Sequence, residues 1–385
     1  MVLAEEVAAQ DQGLKMRLKL RDFLALSTAS YLLSVSSKIL YPGFYTDITA
    51  LYYRVVLPTN NGIPYHAYYL EYPAIPAILI WVSGFAPSLF YYMVTMAFLM
   101  FFFVIAAVYY LYRICMEFGM DRGRIIPFFI LAPSFLVMSF FNWDIVAVCF
   151  VTAAIYYLFR KKSRLAGLCL GLGFAAKAYP LLLLPPFMKE VASWRDRFDM
   201  LLSTVMGGVI FNLPFIIIDF QAWWNSNLSA REAVYIEDSV WMVIRYYGFV
   251  TQDWLLNAVT WSLIILAIAH MTFSKRSLLL KVWVIIAVTI LVFPSYPPQY
   301  DLWLLPLFVL NPAFELIPFL AFDFLDTSVI LSWFTVDNPF RPWGPIWDIS
   351  LARIGLLALL LVWATCRRQA SPQPSELDVH MGVRA

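Results

Sequence analysis

Residues 164–187 read RLAGLCLGLGFAAKAYPLLLLPPF, an apolar run that Lys177 divides into two short pieces. As a helix, each piece of about 11 residues spans roughly 17 Å, about half the thickness of a hydrocarbon core. The basic clusters at 160–164 and 189–197 flank the run, and both should lie in the cytoplasm. We therefore expect a re-entrant pair of half-helices, with Lys177 and Tyr179 near its tip.

The composition places the whole chain in a membrane. Hydrophobic residues make up 62% of the 385 residues and charged residues 14%, whereas soluble domains are about a quarter charged. The net charge of +2 gives no indication of nucleic-acid binding. We predict an all-α, polytopic membrane bundle with about 11–13 segments, some of them broken or re-entrant. The apolar segments lie at about 23–40, 73–86, 88–112, 126–141, 144–159, 165–176, 179–188, 199–218, 252–272, 278–293, 301–313, 315–335 and 347–365.

Charges between the segments predict the orientation. Basic residues in 1–21 precede the first span, so this arm should be cytoplasmic. Residues 22–365 then form the transmembrane domain, loop 41–72 lies outside the cytoplasm, and the polar tail 366–385 is cytoplasmic and disordered. Segment 73–86 carries prolines and should not cross fully. Because irregular backbone at membrane depth needs cover from protein or a water-filled cavity, two broken segments predict a cavity.

Three ionisable residues are the leading candidates for function, because charges in or beside spans are costly. Asp47 follows the first span, Asp144 lies where one apolar segment ends and the next begins, and Lys177 has apolar sequence on both sides. Each has a structural alternative. Either aspartate would serve as a helix N-cap, and the lysine would snorkel towards an interface. By the same reasoning Lys38, Lys281 and Arg353, which lie near span ends, could snorkel.

Cysteine and histidine give no sign of a metal site. The four cysteines form no CxxC pair, and the three histidines show no ligand spacing. Core packing is the expected role of the cysteines. We predict no metal ligands and no cofactor.

Three further outer loops are rich in aromatic and charged residues, at 219–249, 293–303 and 336–348. Tryptophan and tyrosine favour membrane interfaces, and they also stack on sugar rings. The candidates from these loops include Arg231, Glu232, Glu237, Asp238, Trp241, Arg245, Gln299, Tyr300 and Arg341.

Five stretches occur in one order: YTDITALYY (45–53), GIPYHAYYLEYPAI (62–75), FFNWDIVAV (140–148), residues 164–186, and SYPPQYDLWLLPL (295–307). Together they resemble glycosyltransferase family 87, polyprenyl-phosphate-dependent mannosyltransferases of the GT-C superfamily. The chain is similar, more distantly, to the first mannosyltransferase of GPI-anchor assembly. That enzyme has a paired DxD-type motif, whereas Ile48 and Thr49 follow Asp47 here.

The resemblance implies that Asp47 is catalytic and that the donor is a polyprenyl-phosphate sugar. A lipid phosphate leaves readily, so one general base suffices to take the proton of the acceptor hydroxyl. A cation should hold the departing phosphate, with Lys177 as first choice and Arg245 or Arg341 as second. Direct displacement would invert the anomeric carbon. Asp144, His66, Glu71, Tyr179, Gln299 and Tyr300 complete the expected substrate-binding set.

We therefore expect a multi-pass plasma-membrane enzyme with an extracytoplasmic active site, acting on a glycan or glycolipid among membrane lipids. Two other functions fit the same pattern. A transporter or flippase of lipid-linked oligosaccharides would also need a cavity and broken helices. A non-catalytic subunit of a glycosylation complex would need neither base nor donor.

Overall fold

The computed structural model describes residues 18–41, 44–227, 237–338 and 341–367. Within these ranges the chain forms helices and turns without a β-strand, as predicted for an all-α bundle. Most of the arm 1–21 and of the tail 366–385 lies outside the described residues, so their placement stays a prediction.

Five helices are long and apolar enough to cross a membrane: α1 (Leu20–Leu40), α4 (Leu89–Glu117), α13 (Asp253–Phe273), α16 (Leu316–Trp333) and α17 (Pro345–Cys366). No more than 39% of the most apolar window of each is buried. These helices therefore keep an apolar side free for lipid, as spans at the periphery of a bundle do.

Shorter helices fill the space between the long ones. In chain order they are α2 (Asp47–Leu51), α3 (Ala74–Ser83), α5 (Pro133–Met138), α6 (Asp144–Phe159), α7 (Ser163–Phe174), α8 (Leu184–Glu190), α9 (Trp194–Ile210), α10 (Leu213–Ile218), α11 (Phe220–Asn227), α12 (Val240–Tyr246), α14 (Leu278–Val292) and α15 (Leu305–Leu310). Single turns of 3₁₀ or π-helix lie at Tyr52–Val56, Arg122–Arg124, Ile126–Ile130, Tyr179–Leu183 and Pro298–Trp303. Nearly all residues of α6 and α14 are buried, because helices that are apolar all round belong in the core.

The predicted break at Lys177 is present. Helix α7 ends at Phe174, a 3₁₀ turn follows at Tyr179–Leu183, and α8 continues from Leu184. Helix α3, with 10 residues, is likewise too short to cross. The two broken segments meet, since the Ile75 N–H donates to the Ala175 carbonyl at 2.9 Å.

Glycines allow α7, the first helix of the broken segment, to lie close to α9. A β-carbon added at Gly171 would lie 2.0 Å from the Thr204 carbonyl oxygen, and one at Gly167 would lie 2.2 Å from that of Met200. Only glycine permits this approach, as at close helix contacts in membranes.

Arg353 does not snorkel, which corrects the expectation from its position near a span end. Its side chain is fully buried and donates to Asp326 Oδ1 at 2.5 Å and to the Tyr296 carbonyl at 2.7 Å. It also donates to the Asp238 carbonyl at 3.1 Å. The Asp326 carboxylate on the neighbouring α16 and two loop carbonyls bind the terminal nitrogens of the guanidinium, so these nitrogens need not reach water. These bonds fix the loop residues Asp238 and Tyr296 onto α16 and α17.

Candidate active site

Asp47 is the first residue of α2, but it does not cap the helix. Thr46 is the N-cap, and its hydroxyl accepts from the Thr49 N–H at 3.0 Å. The Asp47 carboxylate therefore remains available, and it accepts hydrogen bonds from Tyr72 Oη at 2.8 Å and Tyr45 Oη at 3.2 Å. The capping alternative for Asp47 is wrong, because the preceding threonine takes that role.

The Asp47 carboxylate lines a cavity of about 600 Å³, hereafter the central cavity. Its walls come from loop 41–72, from Phe141, from the end of α16 and from residues 237–238 and 297–299. The lining residues are Tyr45, Asp47, Arg54, Glu71, Phe141, Glu237, Asp238, Pro297, Pro298, Gln299, Val329, Ile330, Trp333 and Phe334. This space, lined by both charged side chains and aromatic rings, is large enough for a sugar.

Burial raises the pKa of the Asp47 carboxyl above its ordinary value. The Tyr72 hydrogen bond and the charge of Lys177 favour the ionised form and partly offset this effect. A carboxylate whose pKa is raised in this way accepts a proton more readily, which suits a general base.

Asp144 and Lys177 form an ion pair beside this site, with Lys177 Nζ 3.1 Å from Asp144 Oδ1. Asp144 also accepts from Trp303 Nε1 at 2.7 Å. The aspartate begins α6, yet its carboxylate makes no capping hydrogen bond, so the capping alternative is wrong here as well. Of the two partners considered for Lys177, a lipid phosphate and Asp144, the ammonium contacts Asp144. The snorkelling alternative is also wrong, because the ammonium points to this carboxylate.

Lys177 also lines an apolar groove of about 330 Å³, hereafter the apolar groove. The lysine ammonium lies 5.0 Å from the centre of the Tyr300 ring and 5.8 Å from that of Trp303. Tyr179 stacks on Trp303 with ring centres 4.2 Å apart. The full lining is Phe174, Lys177, Ala178, Tyr179, Leu181, Leu182, Trp261, Thr289, Ile290, Phe293, Tyr300 and Trp303. A single cation thus lies at one boundary of an otherwise hydrocarbon-like groove.

Glu71 and Gln299 line the central cavity as expected substrate-binding residues should. Glu71 is bound to Arg54, whose Nη2 donates to Glu71 Oε2 at 2.6 Å.

Three other candidates lie elsewhere. His66 is exposed and pairs with Asp219 at 3.0 Å, and Arg245 is bonded to Asp253. Arg341 is exposed. None of the three is among the described residues that line the central cavity or the apolar groove. Arg231 and Glu232 lie outside the described residues.

Sequence reasoning missed Tyr45, Tyr72, Arg54 and Trp303. Tyrosines are frequent throughout loop 41–72, so no spacing distinguishes the two that bind Asp47. Arg54 lies within a π-helical turn, Tyr52–Val56, which sequence periodicity does not reveal. The signal for Trp303 was its place in SYPPQYDLW, next to the candidate Tyr300.

The next feature is the arrangement of side chains that could bind a metal ion. In the described ranges, no group of three or more His, Cys, Asp or Glu side chains is arranged to hold a metal ion. The independence of the activity from metal stays a prediction.

Comparison with known proteins identifies the family. A search of curated proteins and a search of solved structures each found no match. The sequence model of glycosyltransferase family 87 matches residues 69–294, more than half of the chain. The matched region includes Glu71, Asp144 and Lys177 and begins after Asp47. With its apolar helices, the chain is an integral membrane protein, and it belongs to glycosyltransferase family 87.

Proposed function

We propose that this glycosyltransferase moves a hexose, with mannose as the first candidate, from a polyprenyl-phosphate donor to an extracytoplasmic acceptor glycan or glycolipid. The reaction would take place at the plasma membrane. The observation that carries the proposal is the pairing of two features. A carboxylate faces a sugar-sized cavity, and a lysine beside it lies at the boundary of an apolar groove.

The apolar groove suits the first isoprene units of the donor. Its lining is almost wholly hydrocarbon and aromatic, so burial of a prenyl chain there would remove apolar surface from water. An ammonium has three donors, so Lys177 can keep its bond to Asp144 and still donate to a phosphate oxygen. The Asp144 carboxylate and the Trp303 indole hold the lysine in place before the donor arrives.

Asp47 is the proposed general base. It takes the proton from the acceptor hydroxyl, and the oxygen attacks the anomeric carbon from the side opposite the phosphate. The bond from the anomeric carbon to the phosphate oxygen breaks, and the electron pair leaves with polyprenyl phosphate. Lys177 stabilises the charge that grows on that phosphate. The product is an inverted glycoside, and the proton remains on Asp47.

The two alternatives make different demands on these residues. A flippase must bind a lipid-linked sugar and release it unchanged, and it has no use for a base in the cavity. A non-catalytic subunit needs no donor groove beside the base. The hydrogen bonds from Tyr45 and Tyr72 hold the Asp47 carboxylate in the cavity, which favours the enzyme.

The test is chemical. Purified protein in lipid nanodiscs is incubated with polyprenyl-phosphate mannose, glucose or arabinose and a panel of glycoside acceptors. The proposal expects release of free polyprenyl phosphate and a new glycoside of inverted configuration, with mannose transferred fastest. Recovery of every donor unchanged, together with its movement between leaflets, would instead support the flippase.

A further inference from the structure

Arg54 and Glu71 line two spaces at once. Both contribute to the central cavity, and both also line a second pocket of about 600 Å³ with Val55, Tyr68 and Tyr69, hereafter the outer pocket. The guanidinium and the carboxylate are joined by short hydrogen bonds. This ion pair therefore forms a wall common to the outer pocket and the central cavity.

The same short segment connects the wall to the proposed base. Glu71 immediately precedes Tyr72, whose hydroxyl donates to Asp47 at 2.8 Å. On the other side, Arg54 comes from the π-helical turn that directly follows α2, the helix that Asp47 begins. A group bound to Glu71 is thus one residue along the chain from Tyr72, which donates a hydrogen bond to the proposed base.

The donor and the acceptor must approach Asp47 by different routes, because displacement places nucleophile and leaving group on opposite sides of the anomeric carbon. The apolar groove, with Lys177, suits the lipid phosphate. The outer pocket has a different character. Its lining contains an ion pair and two tyrosines, and Tyr69 is 53% exposed.

The chemistry of the outer pocket favours a neutral polyol. Glu71 already compensates the charge of Arg54, so the pair offers no surplus cation to an anion. Its donors and acceptors, arranged side by side, match the neighbouring hydroxyls of a sugar ring. An exposed tyrosine supplies a flat apolar face.

We propose that the outer pocket binds the terminal saccharide ring of the acceptor, and that the Arg54–Glu71 pair directs its hydroxyl into the central cavity. This inference rests on the proposed function, since it assigns the second substrate of the same reaction. Arg54 and Glu71 hydrogen-bond the ring, Tyr69 stacks on it, and the attacked hydroxyl passes the pair to reach Asp47.

Three variants and one control test the assignment. Glu71→Gln keeps the side-chain size and Arg54→Gln shortens it, each removes one charge, and Tyr69→Ala removes an exposed ring. Arg164→Gln is the control, because Arg164 also forms an ion pair, with Asp199 at 2.8 Å, between α7 and α9. Initial rates are measured with polyprenyl-phosphate mannose as donor and methyl α-D-mannopyranoside as acceptor.

The expected result is selective. The KM for the mannoside rises about tenfold in Glu71→Gln and Arg54→Gln, as for loss of a charged hydrogen bond. The KM for the donor stays within about twofold of the wild-type value, and the control changes neither constant. An unchanged mannoside KM in all three variants would overturn the assignment, and so would a rise in the donor KM alone.

A second measurement requires no turnover. Saturation-transfer NMR reports binding of methyl α-D-mannopyranoside to the protein in nanodiscs, and we expect the signal to fall in Tyr69→Ala but not in Arg164→Gln. A wild-type protein that gives no signal would overturn the outer pocket as a saccharide site. A wild-type protein that binds the mannoside but never releases polyprenyl phosphate would contradict the proposed function, while saccharide binding by the outer pocket would still be supported.

Discussion

Replacement of Lys177 by glutamine tests whether its ion pair stabilises the fold and whether its charge binds the donor. Glutamine keeps most of the length of lysine but carries no charge. The Asp144 side chain is 1% exposed and that of Lys177 is 19% exposed. The substitution therefore leaves an almost fully buried carboxylate without its cation.

The expected loss of folding stability depends on the groups that still contact Asp144 in the variant. Removal of one partner from a buried pair costs about 3–5 kcal/mol. Partial exposure of the lysine and the surviving hydrogen bond from Trp303 reduce this figure, so we expect a loss of about 2–3 kcal/mol. Asp144→Asn added to Lys177→Gln removes the stranded charge and should return stability to within about 1 kcal/mol of wild type.

Unfolding in mixed micelles of increasing dodecyl sulfate measures the change, with thiol reactivity as the signal. Cys115, Cys149 and Cys169 are buried and Cys366 is exposed, so three thiols report unfolding once Cys366 is replaced by serine. Donor affinity is measured separately on folded protein and should fall at least tenfold in both Lys177 variants. A Lys177→Gln protein as stable as wild type would refute the reasoning on the ion pair. Unchanged donor affinity in a folded variant would remove the phosphate role.

Three further predictions concern the base, metals and topology. Tyr72→Phe removes a hydrogen bond that lowers the pKa of Asp47, so the acid limb of kcat/KM should move to higher pH; an unmoved limb would contradict Asp47 as the titrating base. Activity should survive EDTA, since Thr49 stands where a DxD motif has its second acid; loss in EDTA that manganese or magnesium restores would reverse this. Ala178 is exposed at the tip of the broken pair, so a cysteine there should react from the extracytoplasmic side, and labelling from the cytoplasm alone would exclude this topology.

Local sequence predicted the elements that depend on hydrophobic length. The break at Lys177 follows from runs too short to cross a bilayer, and the short helix after Pro73 follows from the prolines of segment 73–86. The pairing of Asp144 with Lys177 was foreseeable as one of two options, because an isolated charge among apolar residues requires a partner.

Partners that tertiary packing brings together were harder to predict. Arg353 looked free to snorkel, yet α17 turns it towards Asp326 on α16 and towards two loop carbonyls. The link between Arg54 and Glu71 joins residues 17 positions apart in an irregular loop, where no helical or strand period applies. Charge alone indicated loop 41–72 as the candidate, while the contacts depend on how that loop folds.

The central claim is that the Asp47 carboxylate takes the acceptor proton. Asp47→Asn keeps the size of the side chain and loses the basic oxygen, and Asp196→Asn, at an exposed aspartate in α9, provides a matched control. Single-turnover transfer from polyprenyl-phosphate mannose is followed, and donor binding is measured on the same samples. The account predicts a fall in rate of at least about 100-fold for Asp47→Asn, with donor affinity retained and the control unaffected. Transfer at a near wild-type rate in folded Asp47→Asn protein would contradict it.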